Sequence, residues 1–224
     1  MTYKREFPTI RLILSFISAT VIFITIFMVA SGISYYNYQK ISKQNNIIEE
    51  YLNEMDVILN VSAADCGENI LLRSSQILDE VGGKLNLLEK RFGKNDQRVL
   101  EQKELYSRLE VKHLEIIKTT EEKCGQNYTK IIFFYSNIKP LDEESNRMGF
   151  ILSSFKKLNS DKIMIYSFDY NLESSIINKL KRDYNITGAP IIVIDEQRQI
   201  YARNIDDLEP YKNPDEKDKT IRLN

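Results

Sequence analysis

The stretch Leu12 to Tyr36, LILSFISATVIFITIFMVASGISYY, constrains this chain more than any other part of it. No charged side chain interrupts the run. About 20 apolar residues, rising about 1.5 Å each in a helix, cross a hydrocarbon layer of about 30 Å. Ser15, Ser18, Thr20 and Thr25 are compatible with that, because their hydroxyls can bond back to helix carbonyls. Tyr35, Tyr36 and Tyr38 stand where an aromatic belt lies. A cleaved secretion signal has a shorter apolar core, about 7–15 residues, although Met28 to Gly32 does offer small residues to a peptidase. The run therefore predicts an uncleaved transmembrane helix over residues 12–36. Lys4, Arg5 and Arg11 precede it, whereas Lys40 and Lys43 are soon followed by Glu49, Glu50, Glu54 and Asp56. That bias favours a cytoplasmic N-terminus over residues 1–11 and an extracytoplasmic bulk at a cell membrane.

The remaining composition excludes several function classes. Basic and acidic side chains are balanced at 31 and 32, so no basic surplus points to nucleic acid. The chain has one histidine, His113, and two cysteines, Cys66 and Cys124, with no C-x-x-C pair. A tetrahedral metal site lacks ligands, and a Ser-His-Asp triad would have to recruit His113 from a helical segment. No glycine loop suits a phosphate, and no cofactor is expected. Asn60, Asn127 and Asn185 open glycosylation sequons, a short pattern that also arises by chance.

From residue 37 to 125 the sequence is charged, proline-free and periodic at helical spacing. Ile41, Ile48 and Met55 are spaced by sevens. Leu71, Leu78, Leu85 and Phe92 repeat the interval, with Val81 and Leu88 between them, as in an a/d seam. Gly93 to Asp96 supplies a turn, with Gly93 as a helix C-cap and Asp96 as an N-cap. A further helix runs through Val99, Tyr106, Leu109, His113 and Ile116. The last two segments read as an antiparallel hairpin that packs on the C-terminal domain or a partner chain. The rival is a continuous parallel coiled coil making a homo-oligomer, against which Gly82-Gly83 and Gly93 count. His113 reads as a packed helix residue.

Residues 126–212 change period. Lys130 to Tyr135, Lys162 to Phe168, Ile191 to Ile194 and Gln199 to Ala202 read as strands. Met148 to Leu158 is amphipathic, with Phe150, Ile151, Phe155 and Leu158 on one side. A second helix covers Leu172 to Tyr184, and a short one ends the domain over Ile205 to Tyr211. The order is β-α-β-α-β-β-α, an α/β domain behind a transmembrane helix and a helical-hairpin stalk. Residues 213–224 are charged and expected to be disordered.

That order, together with Ile186, Gly188 and Pro190 ahead of an apolar strand, resembles the thioredoxin-like fold family. Phe134 to Asn137 and Tyr166 to Tyr170 resemble membrane-anchored archaeal members. The resemblance implies a cis peptide at Ala189-Pro190 beside a substrate groove. It also implies a C-x-x-C motif after the first strand, and here the chain departs from the family. Ser136 to Ser145 contains no cysteine. Asp142 and Ser145 occupy the degenerate active-site positions, and neither can form a mixed disulfide. Asp142, Glu143 and Glu144 suit the first turn of a helix instead.

In an antiparallel hairpin Cys66 and Cys124 lie at adjacent ends. A disulfide between them, in an oxidising compartment, would close a loop of about 58 residues and contribute roughly 4 kcal/mol. Two free or intermolecular thiols, or a redox pair relocated to the stalk, are the alternatives. The leading expectation is a membrane-anchored, non-catalytic binding or scaffolding protein with a protein or peptide partner. An envelope thiol-disulfide oxidoreductase or isomerase using Cys66 and Cys124 is the competing class.

Overall fold

The structure, a computed structural model, describes residues 9–62, 66, 68–159 and 162–214. Most of the N-terminal residues read as cytoplasmic, and nearly all of the tail read as disordered, lie outside the described residues. The chain divides into two compact units between Asn46 and Ile47, a boundary that falls within the first helix, α1 (Thr9–Ser62).

In the first unit, Thr9–Tyr36 is a helical stretch long and apolar enough to cross a membrane, and all of its side chains are exposed. Ser15, Ser18, Thr20 and Thr25 each donate to a carbonyl three or four residues back, at 2.8–3.0 Å. Their hydroxyls are thereby satisfied without water.

The second unit starts with the rest of α1, followed by α2 (Glu68–Phe92) and α3 (Gln97–Cys124). Ile48, Leu52 and Met55 form one stripe of α1 and pack against Ile77, Val81, Leu109 and Ile116. Among the α2 residues read as a heptad seam, only Val81 and Leu85 are buried, and the buried line runs Ser74, Ile77, Val81, Leu85. The stripe is displaced because α2 meets both α1 and α3, and a core-facing stripe is set by all the neighbours of a helix. Gly82-Gly83 does not break α2. A Cβ at Gly82 would stand 3.0 Å from the Tyr106 hydroxyl oxygen, so glycine there admits the tyrosine. Gly93, at φ +90, follows the last turn of α2. Asp96 caps α3 by accepting the Arg98 N–H at 3.0 Å. Gly125 ends α3 in the left-handed region and donates to the Glu121 carbonyl.

Next come β1 (Thr129–Tyr135), α4 (Leu141–Leu158), β2 (Ile163–Asp169), α5 (Ser175–Asp183), β3 (Ile191–Ile194), β4 (Arg198–Ile200) and a 3-10 helix (Asp206–Tyr211). The four strands form one mixed sheet in the order β2-β1-β3-β4. β1 runs parallel to β2 and antiparallel to β3, and β3 and β4 form a hairpin. Alternation along the strands sends Ile132, Phe134, Tyr166 and Phe168 to one face, beneath Ile177 and Leu180 of α5 and Leu114 of α3. Ile131, Phe133, Ile163 and Ile192 go to the other, beneath Met148, Leu152 and Phe155 of α4 and Leu208 of the 3-10 helix. With both faces covered, the strands read as unbroken apolar runs. Each such side chain, once fully buried, contributes about 1.5–3 kcal/mol.

Two expectations need correction here. Phe150 and Leu158 do not join the apolar side: they are 75% and 74% exposed. α4 meets the sheet through Met148, Leu152 and Phe155, and Phe150, two residues from both Met148 and Leu152, faces away at about 100° per residue. β4 is also shorter than the strand read over Gln199 to Ala202.

Candidate functional site

Register fixes where the sequence-derived site residues sit. Phe134 of β1 pairs with Ile191, the first residue of β3. Ala189-Pro190, whose peptide bond is cis, therefore lies at the sheet end where β1 finishes and the chain turns into α4. β2 ends there too, with Asp169 opposite Tyr135. Lys139-Pro140, in the same connection, is a second cis bond.

At this end Asp142, Glu143 and Glu144 occupy the first turn of α4, where the helix dipole favours carboxylates. One carboxylate oxygen of Asp142, Oδ1, is buried with no hydrogen bond to any described residue. Ser145 is buried, and its hydroxyl accepts the Ser136 N–H at 2.9 Å. Glu144 accepts from the Arg147 guanidinium and the Tyr201 hydroxyl, and those bonds, the arginine's first, hold its carboxyl down at about 2. It is an anion at neutral pH, with its acceptors in use.

A polar network behind this turn carried no sequence signal. Asp169 Oδ2 accepts from Lys103 Nζ at 2.8 Å and from Asn137 Nδ2 at 2.9 Å. Its Oδ1 accepts the Asn171 N–H at 3.1 Å. The Ser136 hydroxyl donates to Asn171 Oδ1 at 2.6 Å. The Tyr170 hydroxyl reaches the Thr187 carbonyl at 3.3 Å, on the loop leading to the cis bond. Thr187 and Gly188 are exposed, and the N–H and C=O of Ala189 bond to no other described residue. The site thus offers an unpaired stretch of backbone at the sheet end, with no free thiol among the described residues.

His113 lies elsewhere, buried at 2% exposure. Its Nδ1 meets the Tyr166 hydroxyl at 2.9 Å and its Nε2 the Ser75 hydroxyl at 3.1 Å. Burial, and secondarily the positive charge of Lys156, lower it to about 4, so the ring is neutral at physiological pH. A serine-histidine contact so enclosed, oriented by a phenol, gives substrate no access. Nearby, burial pushes the Glu110 carboxyl well above its ordinary range, although Oε1 accepts the Ser167 N–H at 2.7 Å. That bond places α3 against the outer edge of β2.

Cys66 and Cys124 form a disulfide, with S–S 2.07 Å and Cα–Cα 5.6 Å. It joins the start of α2 to the end of α3. Glu121, one turn before Cys124, pairs with Lys130 of β1 and accepts the Tyr128 N–H, so the disulfide adjoins the start of β1, at the far end from Pro190. No cluster of metal-ligating side chains occurs among the described residues. The chain was compared with protein-family models, curated proteins and solved structures, and nothing matches it.

Proposed function

We propose that the chain is a single-pass membrane protein, cytoplasmic at its N-terminus, that holds a thioredoxin-like domain on the extracytoplasmic side. That domain lacks a redox-active C-x-x-C and serves as a non-catalytic binding or scaffolding module for a protein or peptide. The observation that carries the reading is the unpaired backbone of Ala189, at the sheet end where α4 begins. An extended segment can add its own amides to such a backbone. The β2-β1-β3-β4 order, with β3 antiparallel to β1, supports the family resemblance. The cysteine-free turn through Asp142 and Ser145 supports binding without exchange chemistry. The seam that could serve a homo-oligomer is filled within the chain by Ile48, Leu52 and Met55, which favours the sheet end for a partner.

A photo-crosslinking residue at exposed Thr187, in full-length chain in native membranes, should capture a protein that the same residue at Leu87 does not. Equal capture at both positions overturns the reading. So does insulin reduction by the purified chain that Cys124→Ser abolishes, which would establish the oxidoreductase alternative at Cys66 and Cys124. Protease digestion of sealed vesicles tests the orientation, and survival of the C-terminal part inside unpermeabilised inverted vesicles is expected.

A further inference from the structure

A groove of about 590 Å³ runs between α4 and the β1–β2 half of the sheet, and Ala189 and Pro190 are not in its lining. Its volume lies within the range of ligand-binding pockets. The floor is apolar and recessed, made by Phe133, Tyr135 and Ile165. One wall is α4, where Gly149 leaves space: a Cβ there would come no closer than 3.8 Å to Phe133. Exposed Phe150 forms the rim.

The charges of the lining are unequal. Its one carboxylate, Glu89, lies 3.3 Å from buried Lys103, which it shares with Asp169 at 2.8 Å, so the two lysines of the lining outnumber a single anion. Its two cations, Lys94 and Lys156, have no carboxylate partner among the described residues. Lys94 donates to Asn146 Oδ1 at 3.1 Å, and the Lys156 ammonium meets no described acceptor. The positive charge of Lys156 is felt as far as His113. Asn146 and Lys156 are ten residues apart on α4, about 15 Å along its axis. An extended chain at about 3.3 Å per residue covers that in about five residues.

We propose that this groove is a second binding site, which shares Asn137 and Ser145 with the sheet end but does not include Ala189-Pro190. Its ligand is an extended acidic peptide with an apolar or aromatic residue between two carboxylates. The central side chain packs on Phe133 and Ile165, and the carboxylates face Lys94 and Lys156. The Asn137 and Asn146 amides are already bonded to Asp169 and Lys94, and the Ser153 and Ser167 hydroxyls add hydrogen-bonding groups along the walls for the amides of a backbone. A fatty acyl chain would leave those groups unpaired, at a cost. A bilayer surface is too flat to reach the recessed floor.

The test uses full-length chain in detergent micelles and a fluorescent hexapeptide with glutamate at both ends and phenylalanine in the middle. Saturable binding is expected, at least about tenfold weaker for the same peptide carrying lysine in place of glutamate, and for K94E/K156E chain. Gly149→Leu should abolish binding by filling the groove, with far-UV circular dichroism unchanged. Absence of saturable binding, equal binding of the acidic and basic peptides, or full binding to K94E/K156E chain each overturns the proposal. Competition by phenylacetate at the same concentration as the peptide would assign a small-anion site instead and overturn it as well. Thr187 crosslinking is unaffected by these variants, so the two sites stand or fall separately.

Discussion

α3 and α4 flank the same sheet and solve burial in different ways. α3 buries Lys103, Glu110, His113 and Thr120 beside Leu109, Leu114 and Ile117. α4 buries only Ser145, Met148, Leu152 and Phe155, and exposes Phe150 and Leu158. α3 has α1 and α2 on one side and the sheet on the other, so even its polar positions are enclosed. Most find partners: Lys103 takes Asp169, one oxygen of Glu110 takes the Ser167 N–H, His113 takes Tyr166 and Ser75, and Thr120 takes the Ile116 carbonyl, while Glu110 Oε2 bonds to no described residue. α4 packs on one side only, and an apolar residue off that side stays in solvent. Burial here follows the number of neighbouring elements more than the polarity of the residue.

The contrast breaks most sharply at Lys103. Truncation in Lys103→Ala leaves Asp169 buried beside an empty space, and denaturant unfolding should register a loss of about 4 kcal/mol. A loss under about 1 kcal/mol would mean that the ion pair is not enclosed.

His113 tests the same enclosure through pH. Its folded value of about 4 lies below the unfolded 6.5, so protons bind the unfolded chain first. The stability this group contributes is present above about pH 6.5 and is lost as pH falls to about 4, by about 3 kcal/mol. Glu110, raised by burial, acts with the opposite sign, gaining as pH falls. Comparison with His113→Gln isolates the histidine: the stability of wild type relative to the variant should drop by that amount between pH 7 and pH 4. A constant difference would place the ring in solvent.

The smallest effect belongs to α4. Phe150→Ser removes an exposed ring and should change stability by no more than about 0.5 kcal/mol. A larger loss would show that α4 has a second packed side.

These helices also mark what the sequence made legible. Apolar runs and turn residues located the strands, and Gly93 and Asp96 located the helix turn, because those signals are local. The stretch read as an anchor was equally plain. The enclosure of Lys103 was not legible, since its partner Asp169 is 66 residues away. The start of α4 was legible in Asp142, Glu143 and Glu144, because a helix dipole favours carboxylates in the first turn. The cis-proline position came only through resemblance, and nothing in the sequence pointed to Asn137 or Asn171 behind it.

The Cys66–Cys124 bond has a last consequence. The turn between α2 and α3, Gly93 to Asp96, lies inside the 58-residue interval the bond closes. A cut in that turn would divide the backbone without separating the pieces. The nicked protein would keep its full mass in electrophoresis until a reductant was added, and then fall into two. A protease that reached this turn would therefore alter the chain without freeing its sheet from the apolar helix at its N-terminus.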